Sequence, residues 1–523
     1  MLQRFSKYRG VLIAILIPYL WLAAVRLLSL DPGGEATNDS FYHVAMADRF
    51  PEACVSNTFP WTTMSIWKDH FYDKELLYHA ALSGLRSYSR FLGLSLDPPF
   101  HFPALIFDLL LIGVFVMLAT SLRIPKPYLF STVLVMLCPF FTQRLLMLRP
   151  HVLAITIMLA YCWHLTSTRR LWLSFVFGFF TAYAYSNPHF ILLPAAIFGL
   201  LTFRKELRMA WMVPLTTLAG LLAGLTLHPQ FPNTFLLWKI QCVDVIRQTV
   251  LQESPVYLGT ELYHPDPFWI RQNITFFMLL LLNGTGLCFL LHRIRLRDLS
   301  FDTSLFLILQ IVTTLGVLVS MRVVEYGWPF AVLVTGLLFR DLLLNGFFER
   351  FTARVREKVA LGLNAAVAIA LLVFGFYVIR WVTPYQTREL LEFSDWASNS
   401  EWASKNLPAG THIANPNWSD FPALFYSAPQ FRYSLGIEPM FAYDAMPEKI
   451  TKLEAFRTGG VMLSPQELAK LTQARFAFIS MPAWRLAKDM HLSGYFFVYQ
   501  GDDGWLFDLN HPLPEPAAKK GAK

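Results

Sequence analysis

Carboxylate and imidazole side chains are concentrated between the first two strongly apolar stretches of the sequence. Asp39 and His43 lie four residues apart in NDSFYHVAMADRF, so a helix would place them on one polar face together with Glu35. A carboxylate there can take a proton from an attacking group, and the low dielectric at a bilayer edge would sharpen its electrostatic effect. We therefore predict that Asp39 is a general base and that His43 orients or neutralises it.

A second polar set follows in KDHFYDKE. Asp69 and Asp73 repeat the four-residue spacing, and the pattern predicts a second helix over 70–92. Both helices could simply present solvated faces at the membrane surface, or they could line an acceptor site. The polar residues that would take part in the second case are His43, Asp69, His70 and Asp73.

Three of these carboxylates could also hold a divalent cation. Oxygen ligands suit Mg²⁺ or Mn²⁺, and Asp39, Asp69 and Asp73 offer them, although no spacing here is diagnostic of a metal. The five cysteines lack C-x-x-C spacing, which argues against a zinc knuckle. Cys54 and Cys242 fall in loops that we predict to lie outside the membrane, where a disulfide between them could form.

Cationic side chains stand beside predicted helix starts. The turns LRPHVL and SNPHFIL each place a Pro–His pair at the start of an apolar helix, where free N–H groups and the helix dipole attract anions. Capping or interface anchoring is the alternative role of both histidines, and Arg322 could instead pair with Glu325. The candidate phosphate-binding residues are Arg149, His151, His189 and Arg322.

The composition indicates where these residues work. The 523-residue chain is 55% hydrophobic and 15% charged, with a mean hydropathy of +0.42, which is typical of a membrane protein. Its net charge of +8 is explained by Lys and Arg in cytoplasmic loops, so no nucleic-acid partner is predicted.

A membrane span needs roughly 20 apolar residues, and the sequence contains about eleven apolar runs that approach this length. Two of them, 171–186 and 189–203, are short for a full crossing. Lys and Arg fall in alternate connections, as the positive-inside rule requires. The N-terminus is therefore predicted to be cytoplasmic, with 31–100, 229–272 and 382–523 extracytoplasmic. The predicted spans lie near 10–30, 101–121, 128–143, 151–167, 171–186, 189–203, 210–228, 273–291, 302–320, 328–346 and 359–381.

The remainder of the chain changes character. Helix-like runs alternate with strand-like runs such as ARFAFISM and GYFFVYQ, which predicts a small α/β domain. We predict a transmembrane domain over 1–381, with a large first outer loop at 31–100, and an extracytoplasmic C-terminal domain over 382–523.

This layout resembles the GT-C membrane glycosyltransferases, and among them the catalytic subunits of oligosaccharyltransferases. Members have many spans, a catalytic acidic residue in the first outer loop, which Asp39 matches by position, and often an extracytoplasmic C-terminal domain. Trp418 and Asp420 match the first Trp and the Asp of the W-W-D-Y-G motif in that domain. The resemblance implies inverting transfer of a sugar from a polyprenyl-phosphate donor in the bilayer to a glycan, lipid or protein acceptor.

Two other classes of protein share parts of this pattern. A secondary transporter also has many spans, but it usually shows internal repeats and polar residues at mid-membrane, and no repeat is evident here. A noncatalytic membrane protein of polysaccharide assembly would explain the large outer domain equally well.

The orientation can be checked directly. Cysteine labelling or reporter fusions should place residues near 55, 250 and 420 outside and residues near 206 and 296 inside, because Lys and Arg are retained on the cytoplasmic side. A cytoplasmic location for residue 420 would contradict the predicted outer site.

Overall fold

The structure is a computed structural model that describes much of the chain. The described residues are 2–29, 34–35, 37–93, 100–251, 253–347, 358, 362, 365, 368–381 and 391–511. Most of 359–367 in the last predicted span, the start of the predicted C-terminal domain at 382–390, and 31–33 and 94–99 of the first outer loop lie outside them.

The helices and strands are numbered in chain order. The α-helices are α1 Leu2–Ser29, α2 Asp39–Asp48, α3 Glu52–Val55, α4 Leu76–Phe91, α5 His101–Ser121, α6 Pro127–Met136, α7 Pro139–Leu145, α8 His151–Ser167, α9 Leu171–Ala184, α10 Leu192–Thr202, α11 Leu207–Thr226, α12 Asn233–Lys239, α13 Val245–Leu251, α14 Pro267–Gln272, α15 Ile274–Leu291, α16 Phe301–Val319, α17 Val324–Leu344, α18 Ala368–Trp381, α19 Phe393–Asn406, α20 Phe421–Ser427, α21 Pro439–Ala445, α22 Pro447–Arg457, α23 Pro465–Thr472 and α24 Trp484–Leu492. The strands are β1 Gly34–Glu35, β2 Leu391–Glu392, β3 His412–Ala414, β4 Arg432–Tyr433, β5 Phe476–Ser480, β6 Phe496–Gln500 and β7 Gly504–Asp508.

Contacts between residues divide the chain into two compact units. The helical unit comprises 1–32, 100–227 and 260–389, and the mixed unit comprises 33–99, 228–259 and 390–523. The sequence groups the first outer loop with the spans, whereas the contacts group it with the C-terminal residues.

The helical unit carries the apolar helices. Among the described residues, six helices are long and apolar enough to cross a membrane. Helices α6 and α7, which meet at a bend of 88°, would make a seventh span if they cross the membrane together. The predicted number of about eleven spans also includes four shorter apolar helices of 10–17 residues. A helix of 17 residues is only about 25 Å long, so the count of eleven spans stays a prediction. The six long segments are Gly10–Leu28, His101–Ser121, Leu207–Thr226, Ile274–Leu291, Phe301–Val319 and Met321–Leu344.

Helices α9 and α11 pack closely because glycines form their contact. A Cβ atom on Gly220 would lie 2.0 Å from the carbonyl oxygen of Phe175, and one on Gly178 would lie 2.2 Å from that of Thr217. Small residues let helix backbones approach within a membrane, where dispersion contacts rather than the hydrophobic effect hold helices together. Close packing therefore fixes α9, which ends just before Tyr185.

The mixed unit contains a five-stranded sheet in the order β4-β3-β5-β7-β6. Strands β4, β3 and β5 run parallel, and β7 is antiparallel to both β5 and β6. All five residues of β5 are buried, which fits a strand covered on both faces. This sheet, with the helices around it, confirms the α/β character predicted from ARFAFISM and GYFFVYQ.

The first outer loop folds onto the edge of this sheet. The backbone N–H of Thr63 donates to the carbonyl of Tyr433 at 2.8 Å, and the N–H of Tyr433 donates to the carbonyl of Trp61 at 2.8 Å. Residues 61–64 thereby extend the sheet beside β4. The loop is built as part of the mixed unit.

The two helices predicted in this loop are shorter than expected. Helix α2 begins at Asp39 with Asn38 as its N-cap, and Glu35 lies in β1, so the predicted polar stripe keeps only Asp39 and His43. Helix α4 begins at Leu76 rather than at residue 70. Residues 69–75 are held by tertiary hydrogen bonds, such as Phe71 N–H to Asn57 O at 2.8 Å, and these override the local helical pattern.

The close helix contact makes a testable prediction. Replacing Gly220 by Ala should lower the thermal stability of the purified protein by about 1–3 kcal/mol, because the added methyl forces α9 and α11 apart. Gly284 in α15 is the matched control, since a Cβ there meets nothing within 4 Å. Equal thermal unfolding of the two variants would contradict the close approach.

Candidate functional site

Three arginines of the helical unit converge on one carboxylate. The Oε2 atom of Glu261 lies 2.5 Å from Nη1 of Arg144 and 3.6 Å from Nη1 of Arg149. Its Oε1 atom lies 3.2 Å from Nη1 of Arg322. These four residues, here called the arginine cluster, come from the end of α7, the turn before α8, the 3-10 helix Thr260–Leu262 and the 3-10 helix Met321–Val323.

A second carboxylate, Glu325, contacts two of the same arginines. Glu325 is fully buried in α17 and accepts a contact from Nη2 of Arg144, while Nε of Arg322 lies 4.0 Å from its Oε1. The hydroxyl of Tyr185 accepts a hydrogen bond from Nη2 of Arg322 at 2.8 Å. Arg144 and Arg322 thus contact both Glu261 and Glu325.

The neighbouring arginines determine the pKa of Glu261. Burial works to raise the pKa of its carboxyl, but the charges of Arg144, Arg149 and Arg322 outweigh that effect and hold the pKa well below its usual range. Glu261 is therefore ionised, and it occupies the position at which an anion meets all three arginines.

The structure brings together two of the four predicted phosphate-binding residues. Arg149 and Arg322 share Glu261, and His151, at the start of α8, donates from Nε2 to the carbonyl of Arg144 at 2.8 Å. His189 lies half-buried in the 3-10 helix Pro188–Ile191 with its ring against Phe190. Sequence reasoning missed Arg144 as a site residue, although it stands in the same outer connection as Arg149.

Glu261 was also missed. It lies in the long connection 229–272, and no motif there singles it out. Only the packing of the helical unit brings this carboxylate to arginines from other parts of the chain.

Asp39 is the first residue of α2 in the mixed unit and is half-buried. The preceding residue, Asn38, donates from its amide to the carbonyl of Ser419 at 3.3 Å. The predicted base is thus anchored beside the 3-10 helix Trp418–Asp420, which contains the two predicted acceptor-domain residues.

His43 takes part in a buried network. Its Nδ1 lies 2.9 Å from Nε2 of His79, and Nδ1 of His79 lies 2.8 Å from Oδ2 of Asp73. All three side chains are buried. By contrast, Asp69 and His70 are exposed, and Nδ1 of His70 lies 3.3 Å from the side-chain oxygen of Asn233.

One group of side chains among the described residues has the geometry of a metal site. The donor atoms of Cys54, Asp73 and His79 all lie within 4.8 Å of one another. Asp73 thus belongs to a candidate site of mixed sulfur, nitrogen and oxygen donors, and Asp39 and Asp69 are not part of that group. The predicted Mg²⁺ or Mn²⁺ at the three aspartates stays a prediction.

The two predicted acceptor-domain residues differ in exposure. The indole Nε1 of Trp418 donates to the carbonyl of Tyr257 at 3.0 Å, and its ring is half-buried. Asp420 is buried, and its Oδ1 accepts from the amide of Asn417 at 3.0 Å. Burial raises the pKa of Asp420 to about 7, although the hydrogen bond from Asn417 works against it.

No family model and no curated protein matches this chain. Solved structures do match it. The archaeal oligosaccharyltransferase AglB from Archaeoglobus fulgidus, in complex with an inhibitory peptide and a dolichol-phosphate, is 13% identical with a TM-score of 0.61, over 96% of this chain and 74% of its own. The Archaeoglobus fulgidus oligosaccharyltransferase in complex with Zn and sulfate is 12% identical with a TM-score of 0.61 and the same coverage.

A second kind of enzyme matches over nearly its whole length. ArnT from Cupriavidus metallidurans, bound to undecaprenyl phosphate, is 13% identical with a TM-score of 0.51, over 97% of this chain and 98% of its own. At these identities the likeness establishes the fold. The chain therefore shares the fold of these proteins, and its long apolar helices indicate an integral membrane protein.

Asp420 makes the stability of the mixed unit dependent on pH. Because its folded pKa of about 7 lies above the value of about 4 in an unfolded chain, its contribution is full at low pH and is lost as the pH rises through this window. As the pH rises, ionisation of Asp420 should lower the free energy of unfolding by up to about 1.4 kcal/mol per pH unit. Replacing Asp420 by Asn should remove this part of the decrease. Thermal unfolding measured from pH 4 to 8, with the exposed Asp502→Asn as control, tests this. An unchanged pH dependence in Asp420→Asn would contradict it.

Proposed function

We propose that this protein is a glycosyltransferase that moves a sugar from a polyprenyl-phosphate-linked donor to an extracytoplasmic acceptor. The observation that carries the proposal is the arginine cluster, in which three guanidinium groups converge at the ends of apolar helices. The fold supports it, because solved structures of the same fold hold a dolichol-phosphate or undecaprenyl phosphate.

The arginine cluster has the chemistry to bind a lipid phosphate. Guanidinium groups bind phosphate oxygens through paired, charge-assisted hydrogen bonds, and Arg149 and Arg322 are the more exposed members, at 13% and 19%. Glu261 holds the arginines in place as their counter-ion. The donor phosphate would take over this role, so that the arginines exchange one anion for another without becoming unpaired.

Asp39 supplies the base in this mechanism. As the acceptor attacks the anomeric carbon, Asp39 takes the acceptor's proton, and the bond from that carbon to the phosphate oxygen breaks. Polyprenyl phosphate leaves, and the arginines stabilise its developing charge. A single displacement of this kind inverts the anomeric configuration.

The acceptor is a glycan, a lipid or a protein. Trp418 is the first residue of the 3-10 helix that anchors Asn38, and we assign its indole ring to the acceptor side together with the exposed Asp69 and His70. The buried Asp420 ends that helix and accepts a hydrogen bond from the side chain of Asn417, the residue before the helix.

Donor binding and turnover should respond to different substitutions. Arg149→Ala or Arg322→Ala should weaken donor binding by about ten- to hundredfold, because a charge-assisted contact is worth about 1.5–3 kcal/mol. Asp39→Asn should keep donor binding but lower turnover by about 10²–10⁴-fold, since the amide cannot take a proton. Release of polyprenyl phosphate from a labelled polyprenyl-phosphate sugar measures turnover, and equilibrium binding of the same donor measures affinity.

Matched controls are the exposed Arg297→Ala in the helical unit and the exposed Glu52→Gln in the first outer loop. Both should behave like the parent. Parental donor binding in both arginine variants would remove the cluster from the donor site. Near-parental turnover in Asp39→Asn would remove Asp39 from the mechanism, and a parent that binds donor without releasing polyprenyl phosphate would favour a transporter or an assembly protein.

A further inference from the structure

Cys54, Asp73 and His79 form a buried cluster that the proposed sugar transfer does not use. They come from three separate places in the first outer loop, namely α3, the segment before α4, and α4 itself. Cys54 and His79 are fully buried, and Asp73 is 1% exposed. We propose that these three side chains bind a structural Zn²⁺ ion that fixes the fold of this loop.

The distances suit such an ion. The sulfur, carboxylate and imidazole donor atoms lie within 4.8 Å of one another. In a tetrahedral zinc site, with Zn–S near 2.3 Å and Zn–N or Zn–O near 2.0–2.1 Å, donor atoms stand roughly 3.3–3.7 Å apart. Side-chain shifts of about 1 Å therefore complete the site. The carbonyl of Met46, 3.5 Å from Sγ of Cys54, or a water would fill the fourth position.

The surroundings are those of a metal site. A zinc-bound histidine usually has its other ring nitrogen held by a hydrogen bond, which fixes the ring orientation. His79 points Nδ1 toward Asp73, and its Nε2 lies 2.9 Å from Nδ1 of His43. Asp73 is fixed in turn, because its N–H donates to Oε1 of Gln230 at 2.6 Å and its Oδ1 accepts from the N–H of Glu75 at 3.1 Å.

The charges also balance. Binding Zn²⁺ converts Cys54 to a thiolate, and together with the Asp73 carboxylate it neutralises the ion, so the buried complex carries no net charge. A soft sulfur donor selects zinc over Mg²⁺ or Mn²⁺, which prefer oxygen.

Two other roles for Cys54 fit the structure less well. A thiol beside an imidazole and a carboxylate also resembles a nucleophilic triad, but a fully buried sulfur is closed to a substrate. The structure shows no disulfide between Cys54 and Cys242. Metal binding accounts for the burial and for all three donors.

Metal content tests the proposal without any activity assay. The full-length protein, purified in detergent and supplied with Zn²⁺, should contain about one zinc per chain by mass spectrometry after gel filtration. Cys54→Ser and His79→Gln should each lower zinc retention at least tenfold, whereas Cys242→Ser, which changes another buried cysteine of the same unit, should retain it. Substitution with Co²⁺ should give a thiolate-to-cobalt charge-transfer band in the parent that is absent from Cys54→Ser.

X-ray absorption at the zinc edge of the parent decides the matter if the variants do not fold. One sulfur neighbour near 2.3 Å, with nitrogen or oxygen neighbours near 2.0–2.1 Å, is expected. Zinc without a sulfur neighbour, a parent that retains no zinc, or parental zinc content in both Cys54→Ser and His79→Gln would overturn the proposal. Because none of these measurements involves a sugar donor, their outcome is independent of the proposed transferase activity.

Discussion

The buried charge of Arg144 is the constraint on which the arginine cluster depends. Its side chain is only 2% exposed, and leaving such a charge unpaired would cost several kcal/mol. The chain meets this cost with two carboxylates, Glu261 and Glu325, which approach the guanidinium from different elements. Glu261 also lies 3.6 Å from Arg149 and 3.2 Å from Arg322, so its charge offsets part of the repulsion between the arginines. The pairing therefore creates a place where positive charge is both concentrated and held fixed.

The same arrangement explains how a structural network can serve binding. Ion pairs buried in a protein contribute little net stability, because desolvation offsets most of the attraction. Their value lies in preorganisation, since a phosphate entering such a cluster finds its donors already oriented and already stripped of water. Glu261 is the member on the 3-10 helix of a long connection, whereas Glu325 is enclosed in α17. Glu261 is the more exposed of the two carboxylates, at 22% against 1% for Glu325, which is why we propose that a donor phosphate replaces Glu261.

The mixed unit applies a different principle to Asp39. Here the first predicted outer loop is held by backbone hydrogen bonds to the edge of a sheet, by the side chain of Asn38 and by an ion pair between Lys74 and Glu438. Hydrogen bonds of this kind are directional, so they set the position of α2 and the orientation of its first residue. His43, which lies on this helix, contacts His79, and the ring of Tyr42 lies against both histidines. A base on a rigid element is better positioned than one on a free loop.

The sequence by itself determined the membrane character, the α/β nature of the C-terminal residues and the presence of Arg149, Arg322 and Asp39 at the ends of apolar stretches. These features are local, because hydropathy, strand alternation and helix periodicity act over a few neighbouring residues. It did not determine that residues 69–75 are not helical, since tertiary hydrogen bonds decide between conformations of similar local energy.

Partnerships across the chain were decided only by the tertiary structure. Arg144 and Glu261 are 117 residues apart, and Asn38 and Ser419 are 381 apart. The cluster of Cys54, Asp73 and His79 has none of the regular spacing by which a metal motif is recognised. Such contacts depend on how helices and strands pack, and many carboxylates in the sequence would have served Arg144 equally well on chemical grounds. Packing selected one of them, because a buried charge must be neutralised by whichever partner the fold brings within reach.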